Sequence, residues 1–168
     1  MPELEIQVSV EDAGWPDDVT LEAFAERVLG AAASFLNETE KQPFPDHPIE
    51  VSLVFTDDED IRAINAEWRK QDKPTNVLSF PAFPLVPGDV PGPMLGDIVI
   101  ARETVAREAE ALEKSFDEHL THLLVHGFLH LFGYDHMTVE EAEEMEGLET
   151  RILASLGLSD PYAGQVPV

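Results

Sequence analysis

One segment, residues 119–136, constrains the fold of this chain more than any other, because most of it, up to about Phe132, has the pattern of a buried helix with a polar stripe. At 100° per residue its first four histidines fall within an arc of roughly 80°. These histidines are His119, His122, His126 and His130. Most of the remaining circumference is apolar, through Leu120, Leu124, Phe128, Leu131 and Phe132. Such a helix belongs in the core, where an unpaired polar group costs about 1–3 kcal/mol, so the stripe needs partners.

Metal coordination by His126, His130 and His136 is one way to satisfy that stripe. His126 and His130 are four residues apart, which places both imidazoles on one helical face. Gly133 can end the helix and turn the chain so that His136 returns to a third ligand position. The chain has no cysteine, so zinc would have to be bound by imidazole or carboxylate. Imidazole also suits nickel, copper and iron, so another divalent transition metal remains an alternative.

A three-histidine set predicts a catalytic metal site. The fourth tetrahedral position is left to water, whose pKa falls to about 7 in zinc sites of this kind. His122 precedes His126 by one turn and is interpreted as a residue behind the ligands or a polar core residue. Asp135 and Asp97 could orient an imidazole or simply cap a turn. We expect His119 and His47 to be ordinary surface residues.

The same histidine spacing occurs in the metzincin peptidases, where the first histidine is followed by a glutamate that acts as general base. In this chain that place is Gly127. Glycine carries no proton acceptor, so a peptidase of that design would lack the group that activates its water. The substitution disfavours proteolysis without excluding it, since a base could come from elsewhere.

Hydrophobic periodicity and turn residues predict an α+β fold with one small sheet of about four strands and five or six helices. Capping boxes are expected where Thr56 precedes Glu59, Ser115 precedes Glu118, and Thr138 precedes Glu141. Strands are expected at 4–10, 49–55, 75–80 and 95–100, helices at 21–36, 57–68, 102–114, about 115–132 and about 138–157, and a long exposed loop at 81–93.

Length and composition predict one domain over residues 1–168, with a loose tail at about 160–168. No long apolar run or secretion signal is seen, which favours a cytoplasmic protein. A formal charge of −24 argues against nonspecific attraction to nucleic acid or to anionic membrane. Four of the ten basic residues nevertheless fall within twelve positions, and some of them are expected to line the active site. They are Arg62, Arg69, Lys70 and Lys73.

Three motifs together make the chain resemble the YbeY family of bacterial endoribonucleases. The first is the complete HGFLHLFGYDH run at 126–136. The second is DKPTNVLSFP at 72–81, preceded by Asn65 and Arg69, and the third is LGDI at 95–98. One departure is Asn76, because family members usually carry aspartate there. Any role assigned to that carboxylate is therefore in doubt for this chain.

The resemblance implies a mixed sheet of about four strands, a zincin-like metal site on a central helix, and zinc on His126, His130 and His136. It also implies a functionally important Arg69 and hydrolysis of single-stranded RNA. The expected substrate is the 3′ end of the small-subunit, 16S ribosomal RNA, in its maturation and in ribosome quality control. The ribosome or ribosomal proteins would be partners, with no DNA and no membrane.

The predicted metal site and the resemblance are both consistent with one mechanism. In it, a metal-activated water attacks a phosphodiester and Arg69 neutralises charge on the phosphoryl oxygens. A guanidinium suits this role because its donors match two phosphate oxygens, although spacing alone equally allows a surface ion pair. Two other functions stay open. One is a metallohydrolase of another class, such as a metzincin-like peptidase without the usual glutamate, and the other is a noncatalytic ribosome-assembly factor whose metal holds the fold.

Overall fold

A computed structural model describes residues 2–162, in which the chain forms four strands and five helices. The expected α+β class, with one mixed sheet of about four strands and five or six helices, is confirmed. Residues 163–168 of the expected tail lie outside the described part. The elements in chain order are β1 (Leu4–Val10), α1 (Asp18–Thr39), β2 (Ile49–Thr56), α2 (Asp58–Arg69), β3 (Val77–Pro81), β4 (Met94–Ala101), α3 (Arg102–Ala111), α4 (Phe116–Leu131) and α5 (Val139–Ser155).

The sheet has the strand order β1-β2-β4-β3. β1, β2 and β4 run parallel, and β3 pairs antiparallel with β4 at one edge. β2 alternates along its length, so that Ile49, Val51, Leu53 and Phe55 are all fully buried on one side. Such alternation is what a strand needs to present one apolar face to a core. The edge position of β3 leaves one side of that strand open to the cleft described below.

Helix α4 lies at the centre of the molecule. It packs against the strands β3 and β4 and against the helices α1, α3 and α5. The apolar circumference expected from the sequence is buried here, with Leu124, Phe128 and Leu131 fully enclosed. On the other face of the sheet, α2 covers a smaller cluster formed by Ile61, Leu78, Val99 and Ala101. The histidine stripe thus lies on the helix at the centre of the core, which packs against two strands and three helices.

Element boundaries differ from the expectation mostly by a few residues. Ser115 and Thr138 cap α4 and α5, each accepting a hydrogen bond from the backbone N–H three residues on, as the sequence predicts. At α2 the prediction of Thr56 as the cap is wrong, because Asp57 accepts from the Asp60 N–H instead. Thr56 still belongs to β2, and its hydroxyl donates to the Asp60 carboxylate. Among residues 2–162, every helix is too short or too polar to span a membrane.

Candidate metal centre

Three histidines converge at the C-terminal end of α4. His126 and His130 occupy its last turns, and His136 follows after the turn at Gly133. One ring nitrogen from each lies within 4.8 Å of the others. The Nε2 atoms of His126 and His130 are 3.1 Å apart. A tetrahedral ion with nitrogen ligands at about 2.0–2.1 Å places its ligands roughly 3.3 Å from one another, so the spacing of this pair is close to that of two zinc ligands.

Gly133 makes the return of His136 feasible. Its φ of +99° is in the left-handed region that favours glycine. A Cβ at this position would lie only 2.1 Å from the carbonyl oxygen of Leu85, in the loop between β3 and β4. Glycine is therefore required twice here, by the turn and by the close approach of the loop that forms one wall of the site.

The protonation state of His130 suits metal binding. Burial lowers the pKa of His130, and the neighbouring His126 and His136 lower it further, to about 4. A metal-binding imidazole must be neutral, because the proton and the metal compete for the same lone pair. His130 is therefore in its metal-binding form at neutral pH.

A carboxylate behind the histidines was not anticipated from the sequence. Glu149, on α5, is only 1% exposed, and its Oε1 lies 3.1 Å from Nδ1 of His126 and 2.7 Å from Nε2 of His122. Burial by itself would raise the pKa of Glu149, but the hydrogen bonds from His122 and His126 lower it to about 2. Glu149 is thus an ionised acceptor that holds a proton on Nδ1 of His126 and turns Nε2 toward the other histidines.

Tyr162 completes this arrangement from the C-terminal end. Its hydroxyl donates to Oε2 of Glu149 over 3.0 Å and lies 3.4 Å from Nε2 of His122. Burial, and then the charge of Glu149, raise the pKa of the Tyr162 phenol, so it remains a donor. Pro161 is buried beside it. These two residues of the expected tail are therefore packed against the site.

Sequence reasoning could have found Glu149 from its position on α5. The buried residues Met145, Leu148 and Ile152 recur at helical spacing, and Glu149 falls inside that stripe. A carboxylate on an apolar stripe is rarely buried without a partner. His122, which was expected to lie behind the ligands or to be a polar core residue, is half-buried and provides one of those partners.

Arg69 lies in the same cleft as the three histidines, a space of about 780 Å³. Its Nη2 donates to the backbone oxygen of Ser79 on β3 over 3.0 Å, which holds the guanidinium at the sheet edge. Lys73 also lines the cleft, and its backbone oxygen accepts from the buried side chain of Asn65. Of the basic group, Arg62 instead pairs with Asp72 on the surface, and neither Arg62 nor Lys70 lines the cleft.

The two candidate aspartates are placed differently. Asp135 is at the cleft, and its Oδ1 accepts from the backbone N–H of His136, so it shapes the turn that carries this histidine. Asp97 is exposed on β4 and is not among the residues that line the cleft. His47 is exposed, as expected. His119 was expected at the surface and is instead buried at 5% exposure, with Nε2 2.8 Å from Glu108, because α3 covers the start of α4.

Gly127 sits where α4 crosses the sheet. A Cβ there would lie 3.1 Å from both Cγ2 of Ile98 and Oγ of Ser79. The helix can approach β3 and β4 this closely only because residue 127 has no side chain. A glutamate at this position would point into the sheet, which gives a packing reason for the missing metzincin base.

Asn76 has defined partners at the start of β3. Its Nδ2 donates to Oε1 of Glu108 over 2.9 Å, and its Oδ1 accepts from the Val77 N–H over 2.7 Å. The same Glu108 oxygen also lies 2.8 Å from Nε2 of His119. An aspartate at residue 76 would place a second carboxylate beside that of Glu108, and the two charges would repel each other. The neutral amide of Asn76 avoids this repulsion and donates a hydrogen bond instead.

Comparison with known proteins places these features in one family. The family model described as Endoribonuclease YbeY matches residues 10–157. A curated Endoribonuclease YbeY of Rhizobium etli is 75% identical over 165 residues, which are 98% of this chain and 96% of that protein. Another from Agrobacterium fabrum is 73% identical over 168 residues, which cover both chains completely. The solution structure of TM1509 from Thermotoga maritima resembles this fold with a TM-score of 0.55 at 20% identity, covering 91% of this chain and 92% of that one.

Proposed function

The chain belongs to the YbeY endoribonuclease family, and from that premise we propose that it is a metal-dependent endoribonuclease that hydrolyses phosphodiester bonds in single-stranded RNA. The proposed metal ligands are His126, His130 and His136, with zinc as the cofactor. One observation carries the proposal: the three converging imidazoles and the Arg69 guanidinium line the same open cleft.

The donor set fits a catalytic metal. Among residues 2–162, the group of histidines and carboxylates close enough to hold an ion consists of these three histidines alone. A divalent metal bound there would supply Lewis acidity for attack on a phosphodiester. Three ligands leave room for a further oxygen, whereas a structural zinc site normally has four protein ligands.

The residues around the histidines have separate proposed tasks. Glu149 holds the proton on Nδ1 of His126, so that Nε2 keeps its lone pair for the metal. Arg69 presents its guanidinium to the phosphoryl oxygens, where charge increases during hydrolysis. Lys73 adds a second cation along the cleft and assists binding of the backbone phosphates. Asp135 positions His136 through the backbone of the turn.

The proposed substrate is the 3′ region of the small-subunit ribosomal RNA, during 16S maturation and ribosome quality control. An enzyme with this substrate would act in the cytoplasm, with the ribosome or ribosomal proteins as its partners. The proposed domain that carries the site comprises residues 1–168. With a net charge of −24, the protein repels RNA, since each phosphate approaches an acidic surface. A ribosomal partner that supplies basic surface would offset this repulsion.

Metal analysis combined with RNA cleavage tests the proposal. Purified protein should contain about one metal ion per chain, cut an unstructured RNA, lose activity with chelator and regain it with zinc. His126→Ala should lose both metal and activity, whereas His47→Ala, at an exposed histidine away from the cleft, should keep both.

Two further measurements on the same protein, cleavage of a peptide and unfolding on chelation, separate the two other functions. Metal binding without RNA cleavage, combined with unfolding on chelation, would favour a noncatalytic assembly factor. Metal-dependent cleavage of a peptide but not of RNA would favour a hydrolase of another class. Either result would overturn the proposed endoribonuclease.

A further inference from the structure

Trp68 is an exposed aromatic residue that directly precedes Arg69, the arginine of the cleft, although Trp68 does not itself line the cleft. It continues the apolar stripe of α2, four residues after Ile64 and seven after Ile61. Ile61 is fully buried under the sheet, but the indole of Trp68 is 66% exposed. Trp68 lies in the last turn of α2, which contacts the edge strand β3 through Trp68–Phe80 and Arg69–Ser79.

The indole of Trp68 and the guanidinium of Arg69 both contact Phe80. Trp68 meets Phe80 of β3 edge to face, with ring centroids 6.4 Å apart and planes at 65°. The Arg69 guanidinium carbon lies 5.5 Å from the Phe80 centroid, while Nη2 of Arg69 is bonded to Ser79. The cleft arginine and the exposed indole thus contact the same ring, that of Phe80 at the β3 edge. An RNA strand that left the cleft over this edge would reach Trp68.

The charge of the protein favours a nonionic contact with RNA. With a formal charge of −24, the molecule repels a polyanion at long range, and Arg62 in the same helix is already paired with Asp72. Stacking of bases on aromatic side chains does not depend on net charge and tolerates any sequence, because every base has a π face. An aromatic surface at the cleft edge therefore supplies affinity that phosphate contacts supply poorly here.

We propose that Trp68 stacks with an unpaired nucleobase of the RNA strand whose phosphate occupies the cleft. This inference rests on the proposed function and extends it, because it identifies a contact to a base. It also explains a preference for single strands, since a base paired within a duplex does not expose its face.

Intrinsic fluorescence tests the proposal directly, because the chain has two tryptophans in opposite surroundings. Trp15 is 6% exposed and its indole N–H donates to Thr56, so it contributes a constant background, whereas Trp68 is open to ligands. Addition of a short unstructured RNA to the zinc-loaded protein should quench the Trp68 emission. A strand of the same length with abasic sugars keeps the phosphates and should leave that emission unchanged.

Three variants give matched readings of affinity by fluorescence anisotropy of a labelled RNA. Trp68→Ala should weaken binding about 5- to 150-fold, which is the usual value of one stacked base. Trp68→Phe should restore most of the affinity, although the quenching signal is lost with the indole. Val19→Ala, which trims an equally exposed apolar residue on α1, should leave affinity unchanged.

The outcomes separate this inference from the function on which it rests. If the wild-type protein binds and cleaves RNA while Trp68→Ala binds equally tightly, the stacking contact is wrong although the proposed function stands. Equal quenching by the abasic strand would reject it as well. If the wild-type protein neither binds nor cleaves single-stranded RNA, the proposed function and this extension fail together.

Discussion

Oε1 of Glu149 lies 3.1 Å from Nδ1 of His126, so a buried carboxylate on α5 sets the orientation of an imidazole on α4. The two residues are 23 positions apart in the sequence. Their contact turns Nε2 of His126 toward Nε2 of His130, 3.1 Å away. The packing of α5 on α4 thereby determines which nitrogen of His126 is free to bind a metal.

Substitution of Glu149 by glutamine should weaken metal binding. The glutamine amide can donate to Nδ1, which favours the tautomer that places the proton on Nε2 of His126. We expect the affinity for zinc to fall about 10- to 100-fold, as for other residues that orient metal ligands. Competition with a chromogenic chelator measures this change. Glu146→Gln, at an exposed position on the same helix, is the control, and equal zinc affinity of both variants would contradict the role of Glu149.

Arg69 and Arg62 form a matched pair for testing phosphate stabilisation. Both are in α2, but Arg69 lines the cleft, whereas Arg62 makes an exposed ion pair with Asp72. Arg69→Ala should lower kcat/KM for RNA cleavage by about 100-fold or more with unchanged metal content, because it removes the proposed donor to the phosphoryl oxygens. Arg62→Ala should cut RNA at nearly the wild-type rate. An active Arg69→Ala enzyme would remove this residue from the mechanism.

Alanine substitution at two helical glycines should change the free energy of unfolding in opposite directions. At Gly147, on α5, an added Cβ meets nothing within 4 Å, so alanine should stabilise the protein by about 0.5–1 kcal/mol. At Gly127 the added Cβ would press on Ile98, which is fully buried in the central strand β4. Gly127→Ala should therefore destabilise the fold by about 1–3 kcal/mol. Urea unfolding measures both free energies, and a stabilised Gly127→Ala protein would show that the helix can move away from the sheet.

Asp58 should make stability depend on pH in acid. Its Oδ1 accepts from the N–H and hydroxyl of Thr104, and its Oδ2 accepts from Arg107. Burial alone would raise the pKa of Asp58, but the hydrogen bonds from Thr104 and Arg107 lower it below its ordinary value of 3.8. The ionised carboxylate therefore stabilises the fold above about pH 4, and this contribution is lost as the pH falls through the lowered value.

Asp58→Asn should accordingly be less stable than the wild type at pH 7, and the difference should shrink as the pH approaches 3. Thermal unfolding across this range is the measurement. Glu59→Gln removes the same charge from the neighbouring exposed position and should show a smaller difference at pH 7. A difference for Asp58→Asn that stays constant with pH would contradict the assigned ion pair.

The contact of Asn76 with Glu108 predicts the effect of restoring the usual family residue. Asn76→Asp should cost about 1 kcal/mol or more at neutral pH, because it exchanges a hydrogen-bond donor for a second carboxylate. Chemical denaturation measures the loss. Adding Glu108→Gln should recover most of the stability, since one partner is then neutral and can donate. If the double variant is no more stable than Asn76→Asp, the two side chains do not interact.

The elements of secondary structure follow largely from local patterns. β1 was predicted at the residues where the structure has it, and β2, β4 and α4 differ at their ends by one or two residues. Thr56 was mistaken for the cap of α2 because the sequence TDDE offers two candidate caps in succession, and only the backbone conformation selects Asp57. His119 was expected at the surface because the sequence does not show that α3 lies over the start of α4.

The spacing of His126, His130 and His136 by itself determined that three imidazoles meet, because a helical turn and a glycine turn are local geometry. Tertiary structure alone decided what surrounds them. Glu149 reaches His126 only because α5 packs on α4. Arg69 enters the cleft only because β3 is an edge strand, to which its guanidinium donates a hydrogen bond at Ser79. Contacts within a few residues are set by backbone periodicity, whereas contacts between distant residues depend on how whole helices and strands bury their apolar faces against one another.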